Sequence, residues 1–220
     1  MRTPIFSLGG FVELLEDEEP DQATRDEFVR TMREQVDRLT KLTTDLLDLS
    51  KLDADAIEIR TENFDLGRLG ERIAAEFGPA ATLHGSTIGV AQGDGAPTVA
   101  HADPDRVAQV IRILIDNALT HTPEGTAIKL IIEPSDGACE LTVSDDGPGI
   151  PPRSRARVFD RFYTGDSVSG SGLGLAIARE LALRMGGGLA MTSRAGHTDF
   201  VLEIPTPAVD RRFASAGVAG

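Results

Sequence analysis

The sequence predicts an α+β protein in which a helical hairpin is followed by a two-layer α/β sandwich. Three observations carry this prediction. Apolar residues recur at alternating steps of four and three positions before residue 50, the spacing of paired helices. That spacing ends after Asp53. Beyond it, short segments of strand composition alternate with glycine-rich turns and three stretches of helical periodicity, as in a mixed sheet covered by helices.

The helical hairpin is predicted to occupy residues 1–56. Its long seam runs through residues 28–49 and is interrupted by the polar Gln35, and a shorter run at residues 5–15 repeats the spacing. The acidic segment 16–21 between the two runs contains a proline and is predicted to be a turn. Because one hairpin buries such a seam poorly, we expect two hairpins to form a four-helix bundle in a dimer. The alternative is a hairpin that packs on its own globular domain.

A second domain is predicted at residues 60–206, and a disordered tail at residues 207–220, which are small and polar and lack periodicity. Within this domain Asp103 precedes Pro104 and is expected to cap a helix. Periodicity predicts helices at residues 66–77, 103–119 and 172–185, and composition predicts strands at residues 87–90, 126–132, 140–143, 189–192 and 200–204.

Composition limits the function classes. The formal net charge of −13 would repel the backbone of nucleic acid, so we expect no nucleic-acid partner. Any polyphosphate must then be held by backbone amides, a helix N-terminus or a divalent ion. The single cysteine, Cys139, excludes an internal disulfide and a cysteine-rich zinc site. No apolar stretch approaches the ~20 residues that span a bilayer, and no signal-peptide cleavage pattern follows Met1, so we expect a cytoplasmic chain without a membrane segment.

The first motif with chemical content is Asp145, Gly147 and Gly149, directly after a predicted strand. A carboxylate at a strand end can accept a hydrogen bond from an exocyclic amine, and glycines let the backbone approach a flat base closely. The alternative is a simple turn.

The second motif is Gly170-Ser171-Gly172-Leu173-Gly174-Leu175 at the start of a predicted helix. Its glycines would expose backbone amides at the positive helix end, where polyphosphate binds without a lysine. No strand leads directly into the motif, which argues against a dinucleotide fingerprint, and the sequence contains no P-loop. The third motif centres on Asn117, whose side-chain oxygen is a hard ligand suited to Mg²⁺, although an asparagine also commonly caps a helix end.

Together with residues 157–163, these motifs resemble the N, G1, F and G2 boxes of two-component sensor histidine kinases, which belong to the gyrase, Hsp90, histidine kinase and MutL ATPase superfamily. Residues 39–52 resemble the second dimerisation helix of the same family. The resemblance implies an ATP-binding sandwich of the Bergerat type, transfer of the ATP γ-phosphoryl group to a histidine, and relay to an aspartate of a response regulator.

The resemblance also implies roles for individual residues. Asp145 would bind the adenine amino group, and Gly147 and Gly149 would flank the base. Asn117 would hold Mg²⁺ against the phosphates, and His121 would contact phosphate or be structural. The remaining binding residues lie in or beside a mobile lid at residues 160–171: Gly170, Gly172 and Gly174 would hinge it beside Leu173, and Phe159 and Phe162 would anchor it in the core.

The first residues depart from the family pattern. Arg2, Thr3 and Pro4 resemble the end of a His-Glu-Leu-Arg-Thr-Pro box, so the phosphoacceptor histidine would precede Met1. We therefore expect the histidine in trans, from a histidine-containing kinase or phosphotransfer partner that forms a homo- or heterodimer through the hairpin. A naturally split kinase and a truncated chain both account for the pattern.

Three residues of the expected ATP site also depart from the family. Ile113 stands where hydrolytic members have a glutamate base, which argues against a water-activating ATPase. Thr120 and Thr164 stand where many kinases have a basic residue near the phosphates, so we expect weakened ATP affinity or turnover. The alternative function is a pseudokinase that regulates a true histidine kinase by heterodimerising with it. A serine kinase of the anti-sigma type is disfavoured by the long dimerisation helix.

Overall fold

The computed structural model describes residues 4–17, 21–93, 98–165 and 170–207, and within the first range it describes side chains at residues 9–15. The chain begins with helices α1 (Pro4–Asp17) and α2 (Gln22–Asp53), so both predicted helices are confirmed. Helix α1 extends two residues into the predicted turn, whose residues 18–20 lie outside the described ranges.

Local contacts explain the hairpin. Asp21 caps α2 by accepting a hydrogen bond from the Thr24 amide at 2.8 Å, which satisfies one of the open donors of the first turn. The rings of Phe11 and Phe28 lie 5.3 Å apart and join the two helices. Several large apolar side chains of α2 are exposed in the single chain, which is typical of a helix that packs against other helices in an oligomer. They are Val29, Val36, Leu42, Leu46 and Leu47.

The last turns of α2 pack on the domain that follows. Leu49 and Leu52 are buried in the same apolar cluster as the helices and strands of that domain. Within the described residues, the hairpin therefore contacts its own globular domain through the C-terminal part of α2. Val29 and Val36 lie on the part of α2 that precedes these contacts.

The second domain contains seven strands and five helices within the described residues. Their order along the chain is β1 (Glu62–Asp65), α3 (Leu66–Glu76), α4 (Gly78–Leu83), β2 (Thr87–Gln92), β3 (Val99–Ala102), α5 (Pro104–His121), β4 (Ala127–Ser135), β5 (Ala138–Asp145), α6 (Pro152–Arg155), α7 (Gly174–Arg184), β6 (Gly188–Arg194) and β7 (His197–Pro205).

Five strands form the main sheet in the order β2-β4-β5-β7-β6. β2 and β4 pair in parallel, and the other neighbours are antiparallel. β1 and β3 form a separate antiparallel pair. In β4 the buried Ile128, Leu130 and Ile132 alternate with exposed or partly exposed residues, the pattern of a sheet covered on one face. The predicted α/β sandwich is confirmed.

Helices α3, α5 and α7 form the second layer. Ile111 and Leu114 of α5 meet Leu141 of β5 and Phe200 of β7 in one apolar core, and each of these side chains is at most 2% exposed. Asp103 caps α5 as expected, with Oδ1 accepting from the Asp105 and Arg106 amides at 3.1 and 3.2 Å. This anchoring directs the C-terminal half of α5, which carries Asn117, toward the end of β5.

The structure differs from the sequence prediction in several places, and it contains a four-residue helix, α6, that was not predicted. The helix at residues 66–77 is interrupted at Phe77 and continues as α4. The four-residue strand β3 was not predicted, since such a short segment carries little periodicity. Helix α7 begins at Gly174 rather than Gly172, because Gly172 has a φ of +68° that a helix excludes. Cys139 is a buried residue of β5, and its thiol donates to the Val99 carbonyl oxygen at 3.3 Å.

Candidate nucleotide site

Two adjoining cavities lie between α5, the start of α7 and the end of β5. We call the one of about 270 Å³ at the end of β5 the inner cavity and the one of about 310 Å³ facing α2 the outer cavity. They form one elongated cleft, because they share six lining residues: Asn117, His121, Val158, Tyr163, Thr164 and Leu175.

The inner cavity combines one buried carboxylate with apolar walls. Asp145 ends β5 and is 6% exposed, and its Oδ1 accepts a hydrogen bond from the Gly147 amide at 3.0 Å. Burial raises the pKa of Asp145; the Gly147 amide and His197 oppose that rise, whereas Asp146 and Asp199 add to it. Ile150, Leu175 and Phe200 line the same cavity. A hydrogen-bond acceptor that is surrounded by apolar side chains suits a flat heterocycle that carries an amino group.

The glycines beside Asp145 are required by packing. A Cβ on Gly147 would lie 2.6 Å from Thr122 Cγ2. Gly149 has a φ of +79°, and a Cβ there would lie 1.9 Å from the Arg194 carbonyl oxygen. Gly149 lines the inner cavity. The Gly147 and Gly149 backbone thus lies tightly between α5 and the β6–β7 turn, and a role for these glycines in flanking a base stays a prediction.

The outer cavity is bordered by the start of α7. No side chain caps that helix, and the Leu173 amide donates to Ser171 Oγ at 3.1 Å. Gly170, with a φ of +104°, and Gly174 both line this cavity, and a Cβ on Gly174 would lie 3.3 Å from Ile113 Cγ2. The amides of an uncapped first helical turn carry a positive partial charge, which suits a phosphate.

Gly172 joins the two ends of the segment predicted to be a lid. The Phe162 amide donates to the Gly172 carbonyl at 2.8 Å, and a Cβ on Gly172 would lie 2.6 Å from the Phe162 carbonyl carbon. Of the predicted lid, the structure describes residues 160–165 and 170–171. The close approach explains why residue 172 is a glycine.

The two phenylalanines that were expected to anchor the lid differ in how deeply they are buried. Phe159 is half-buried, and its ring packs edge-on against Phe200 with centroids 6.3 Å apart. Phe162 is 65% exposed with a φ of +63°, so the prediction that it anchors the lid in the core is wrong. Its backbone, held by Gly172 in a turn, makes the lid contact instead. Neither phenylalanine lines the two cavities.

Asn117 is one of four polar residues at the junction of the cavities, with His121, Tyr163 and Thr164, and its role in holding Mg²⁺ stays a prediction. The described residues contain no cluster of three or more His, Cys, Asp or Glu side chains that could hold a metal ion. Mg²⁺ usually takes one or two protein oxygens and completes its shell with water and substrate phosphates. A single amide oxygen at the phosphate side of the cleft is therefore compatible with a metal that arrives with a nucleotide.

His121 lines both cavities. The ring is open to the cleft, yet desolvation by the surrounding protein lowers the pKa of His121; Asp116 opposes this shift and Lys41 adds to it. This shift favours the neutral form of the imidazole. The other histidines lie outside the cavities and are hydrogen-bonded to neighbouring side chains: His84 to Ser86, His101 to Asn63 and His197 to Asp199.

Helix α2 contributes residues to the site that sequence reasoning missed. Lys41 and Asp45 line the outer cavity, and Ser171 Oγ donates to Asp45 Oδ2 at 2.6 Å. Nearby, Arg161 makes two hydrogen bonds with Asp53, at 2.6 and 2.8 Å. These partners are separated by more than a hundred positions in the sequence, so no local pattern predicts them.

This cleft, between an uncapped glycine-rich helix start and a buried aspartate on a mixed sheet, defines a class of nucleotide-binding domain. The family model for the histidine kinase-, DNA gyrase B- and HSP90-like ATPase matches residues 102–208. The model for the His Kinase A (phospho-acceptor) domain matches residues 1–55. The chain therefore belongs to the histidine kinase family, in which a phosphoacceptor hairpin and an ATP-binding domain follow one another.

Individual relatives agree with this assignment. The swarming motility regulation sensor protein RssA of Serratia marcescens is 32% identical over 93% of this chain, which spans 44% of RssA. Full-length ShkA in complex with AMPPNP is 30% identical, with a TM-score of 0.73 over 94% of this chain and 44% of ShkA. Histidine kinase ThkA in complex with the response regulator protein TrrA is 25% identical, with a TM-score of 0.78 over 94% of this chain and 58% of ThkA.

The chain spans less than half the length of RssA. Within the described residues, no helix has both the length and the apolar character needed to cross a membrane.

Proposed function

We propose that this chain contains the catalytic part of a two-component histidine kinase, which binds Mg-ATP and transfers its γ-phosphoryl group to the histidine of a phosphoacceptor hairpin. A response regulator aspartate would then receive the phosphoryl group. The single observation that carries the proposal is the arrangement of the cleft: Asp145 lies at one end, the uncapped start of α7 at the other, and Asn117 between them.

Each end of the cleft suits one part of ATP. Asp145 would accept a hydrogen bond from the adenine amino group, and Ile150 and Phe200 would contact the ring. The amides at the start of α7 and the side chain of Asn117 face the phosphates. Mg²⁺ would supply charge neutralisation there, and Asn117 would be its protein ligand. The AMPPNP complex of ShkA supports this nucleotide class for a related fold.

The transfer itself requires little covalent chemistry from the protein. The imidazole nitrogen attacks the γ-phosphorus in line, the bond to the β–γ bridging oxygen breaks, and ADP leaves. Ile113 stands against Gly174 beside the outer cavity, where an apolar side chain cannot activate water. This favours phosphoryl transfer to an incoming side chain over ATP hydrolysis.

The test uses the full chain with radiolabelled ATP, Mg²⁺ and a purified hairpin domain that carries a phosphoacceptor histidine. We expect acid-labile label on the hairpin domain, and loss of that label with Asn117→Ala. Asn63→Ala is the matched control, because Asn63 on β1 is hydrogen-bonded to His101 on β3, outside both cavities. Label transfer that is equal in the two variants would contradict the proposed role of Asn117.

The pseudokinase remains the second candidate, and specific residues favour it. The outer cavity carries neutral Thr120 and Thr164 and two carboxylates, Asp45 and Asp116, which disfavour a triphosphate. A regulatory partner would bind a true kinase through the exposed apolar residues of α2 without transferring phosphate. Saturable ATP binding without label transfer to any histidine-containing hairpin would favour the pseudokinase.

A further inference from the structure

Lys41 of helix α2 extends into the outer cavity although it belongs to the hairpin. Its ammonium forms an ion pair with Asp116, the residue before Asn117, and half of its side chain is exposed. Thr120 and Ser171 line the same cavity. A cation from one domain therefore lies among the residues of the other domain that face the phosphates in the proposed function.

The lining of the outer cavity contains one other lysine or arginine, Arg112. Arg112 is held in a two-point ion pair with Glu76, at 2.8 and 3.1 Å, which also raises the pKa of Arg112. Because both of these guanidinium hydrogen bonds go to the Glu76 carboxylate, Arg112 is less available to a phosphate. The Lys41 ammonium has three donors on a flexible stem, so it can keep Asp116 while donating to a second anion.

A triphosphate in this cavity would lie near the carboxylates of Asp45 and Asp116. Backbone amides and a divalent ion offset part of that repulsion, and a further cation is needed close to the terminal phosphates. We propose that Lys41 is the residue that recognises the terminal phosphates of ATP, so that the hairpin helix completes the nucleotide site of the catalytic domain. This inference rests on the proposed function, because it names a residue of the same site.

Lys41 would also affect which nucleotide the chain prefers. A group that contacts only terminal phosphates contributes to the binding of ATP, less to that of ADP and not to that of adenosine. The chain would then distinguish ATP from ADP partly through the hairpin, and loss of the γ-phosphate would loosen the contact between α2 and α5.

The experiment measures the affinity of the full chain for adenosine, ADP and ATP with Mg²⁺ by titration calorimetry. For Lys41→Gln we expect roughly tenfold or greater weakening for ATP, less for ADP and no change for adenosine, since one charge-assisted hydrogen bond is lost. Lys41→Arg keeps the positive charge and should weaken ATP binding less than Lys41→Gln does. Lys51→Gln is the matched control on the same helix, because Lys51 is exposed and lies outside both cavities.

A rescue variant separates recognition from a structural role. Thr120 lines the same cavity from α5, so Thr120→Lys in the Lys41→Gln background places an ammonium there from the catalytic domain and should restore ATP affinity. Equal weakening for all three ligands, or unchanged ATP affinity in Lys41→Gln, would overturn the inference alone. A wild-type chain that binds none of the three would overturn the proposed function and the inference with it.

Discussion

Ser171 in the glycine-rich loop donates its hydroxyl hydrogen to Asp45 of helix α2 at 2.6 Å, and the same oxygen accepts from the Leu173 amide at 3.1 Å. One hydroxyl thus connects the hairpin with the residue that precedes α7. The loop that borders the outer cavity is therefore positioned by the hairpin as well as by its own glycines.

We expect Ser171→Ala to speed hydrogen exchange at the Leu173 amide, because its acceptor is removed, and Asp45→Ala to speed it less, because the hydroxyl remains but is no longer oriented. Exchange mass spectrometry on peptides that cover residues 170–175 measures both effects. Asp48→Ala is the control, since Asp48 bonds Gln109 at 2.8 Å and does not contact the loop. Equal exchange in Asp45→Ala and Asp48→Ala would show that the Asp45 contact does not hold the loop.

The raised pKa of Asp145 predicts opposite effects of one substitution on stability and on binding. A carboxyl whose pKa is higher in the folded state than in the unfolded state stabilises the fold when protonated. That contribution is fully present below the unfolded value of ~3.9 and is lost as pH rises through the higher folded pKa. At pH 7 the buried charge therefore reduces stability.

Asp145→Asn removes that charge and keeps an oxygen for the Gly147 amide. Its Tm should exceed that of the wild type at pH 7, and the difference should vanish toward pH 4, while ATP affinity falls at pH 7. Thermal unfolding across this pH range and ATP titration at pH 7 measure both quantities. The comparison is Asp146→Asn: Asp146 is exposed and accepts from the Ala127 amide at 2.7 Å. Its loss lessens the repulsion on Asp145 without removing the buried charge, so the gain in Tm should be smaller. A lower Tm for Asp145→Asn at pH 7 would contradict the prediction.

Gly149→Ala should destabilise the fold by about 3 kcal/mol or more, because a left-handed backbone is combined with an approach of 1.9 Å to the Arg194 carbonyl oxygen. Gly125→Ala isolates the backbone effect, since Gly125 has a φ of +85° and nothing within 4 Å of a Cβ, and should cost about 1 kcal/mol. Urea unfolding gives both free energies. Similar losses would mean that the β6–β7 turn moves aside at little cost.

The ion pair between Lys41 and Asp116 predicts a change at His121 that does not depend on nucleotide. Lys41 contributes to lowering the pKa of His121, and Asp116 opposes it. Lys41→Gln removes the first effect and leaves the second, so the pKa of His121 should rise. Titration of the His121 ring protons by NMR measures this shift. Asp116→Asn should shift the pKa in the opposite direction, and an unchanged His121 titration in both variants would place the Lys41 ammonium away from the site in solution.

Some elements of the fold could be predicted from the sequence, and others could not. Asp103 and Pro104 predicted the start of α5 because capping is local chemistry, and the seam of residues 28–49 predicted α2 because periodicity reports one buried face. Phe162 was misplaced because its exposure follows from a left-handed turn that the residue type disfavours. β3 was missed because its four residues acquire their strand geometry by pairing with β1.

The sequence by itself determined most of the elements, the family resemblance and the three motifs of the cleft, since each depends on residues close together in the chain. Only the tertiary structure decided which distant groups meet: Lys41 with Asp116, Asp45 with Ser171, and Asp53 with Arg161. It also decided that Gly149 is required by the Arg194 backbone. Ion pairs and steric contacts between segments far apart in sequence leave no periodic pattern, because they exist only after the core has fixed where each helix lies.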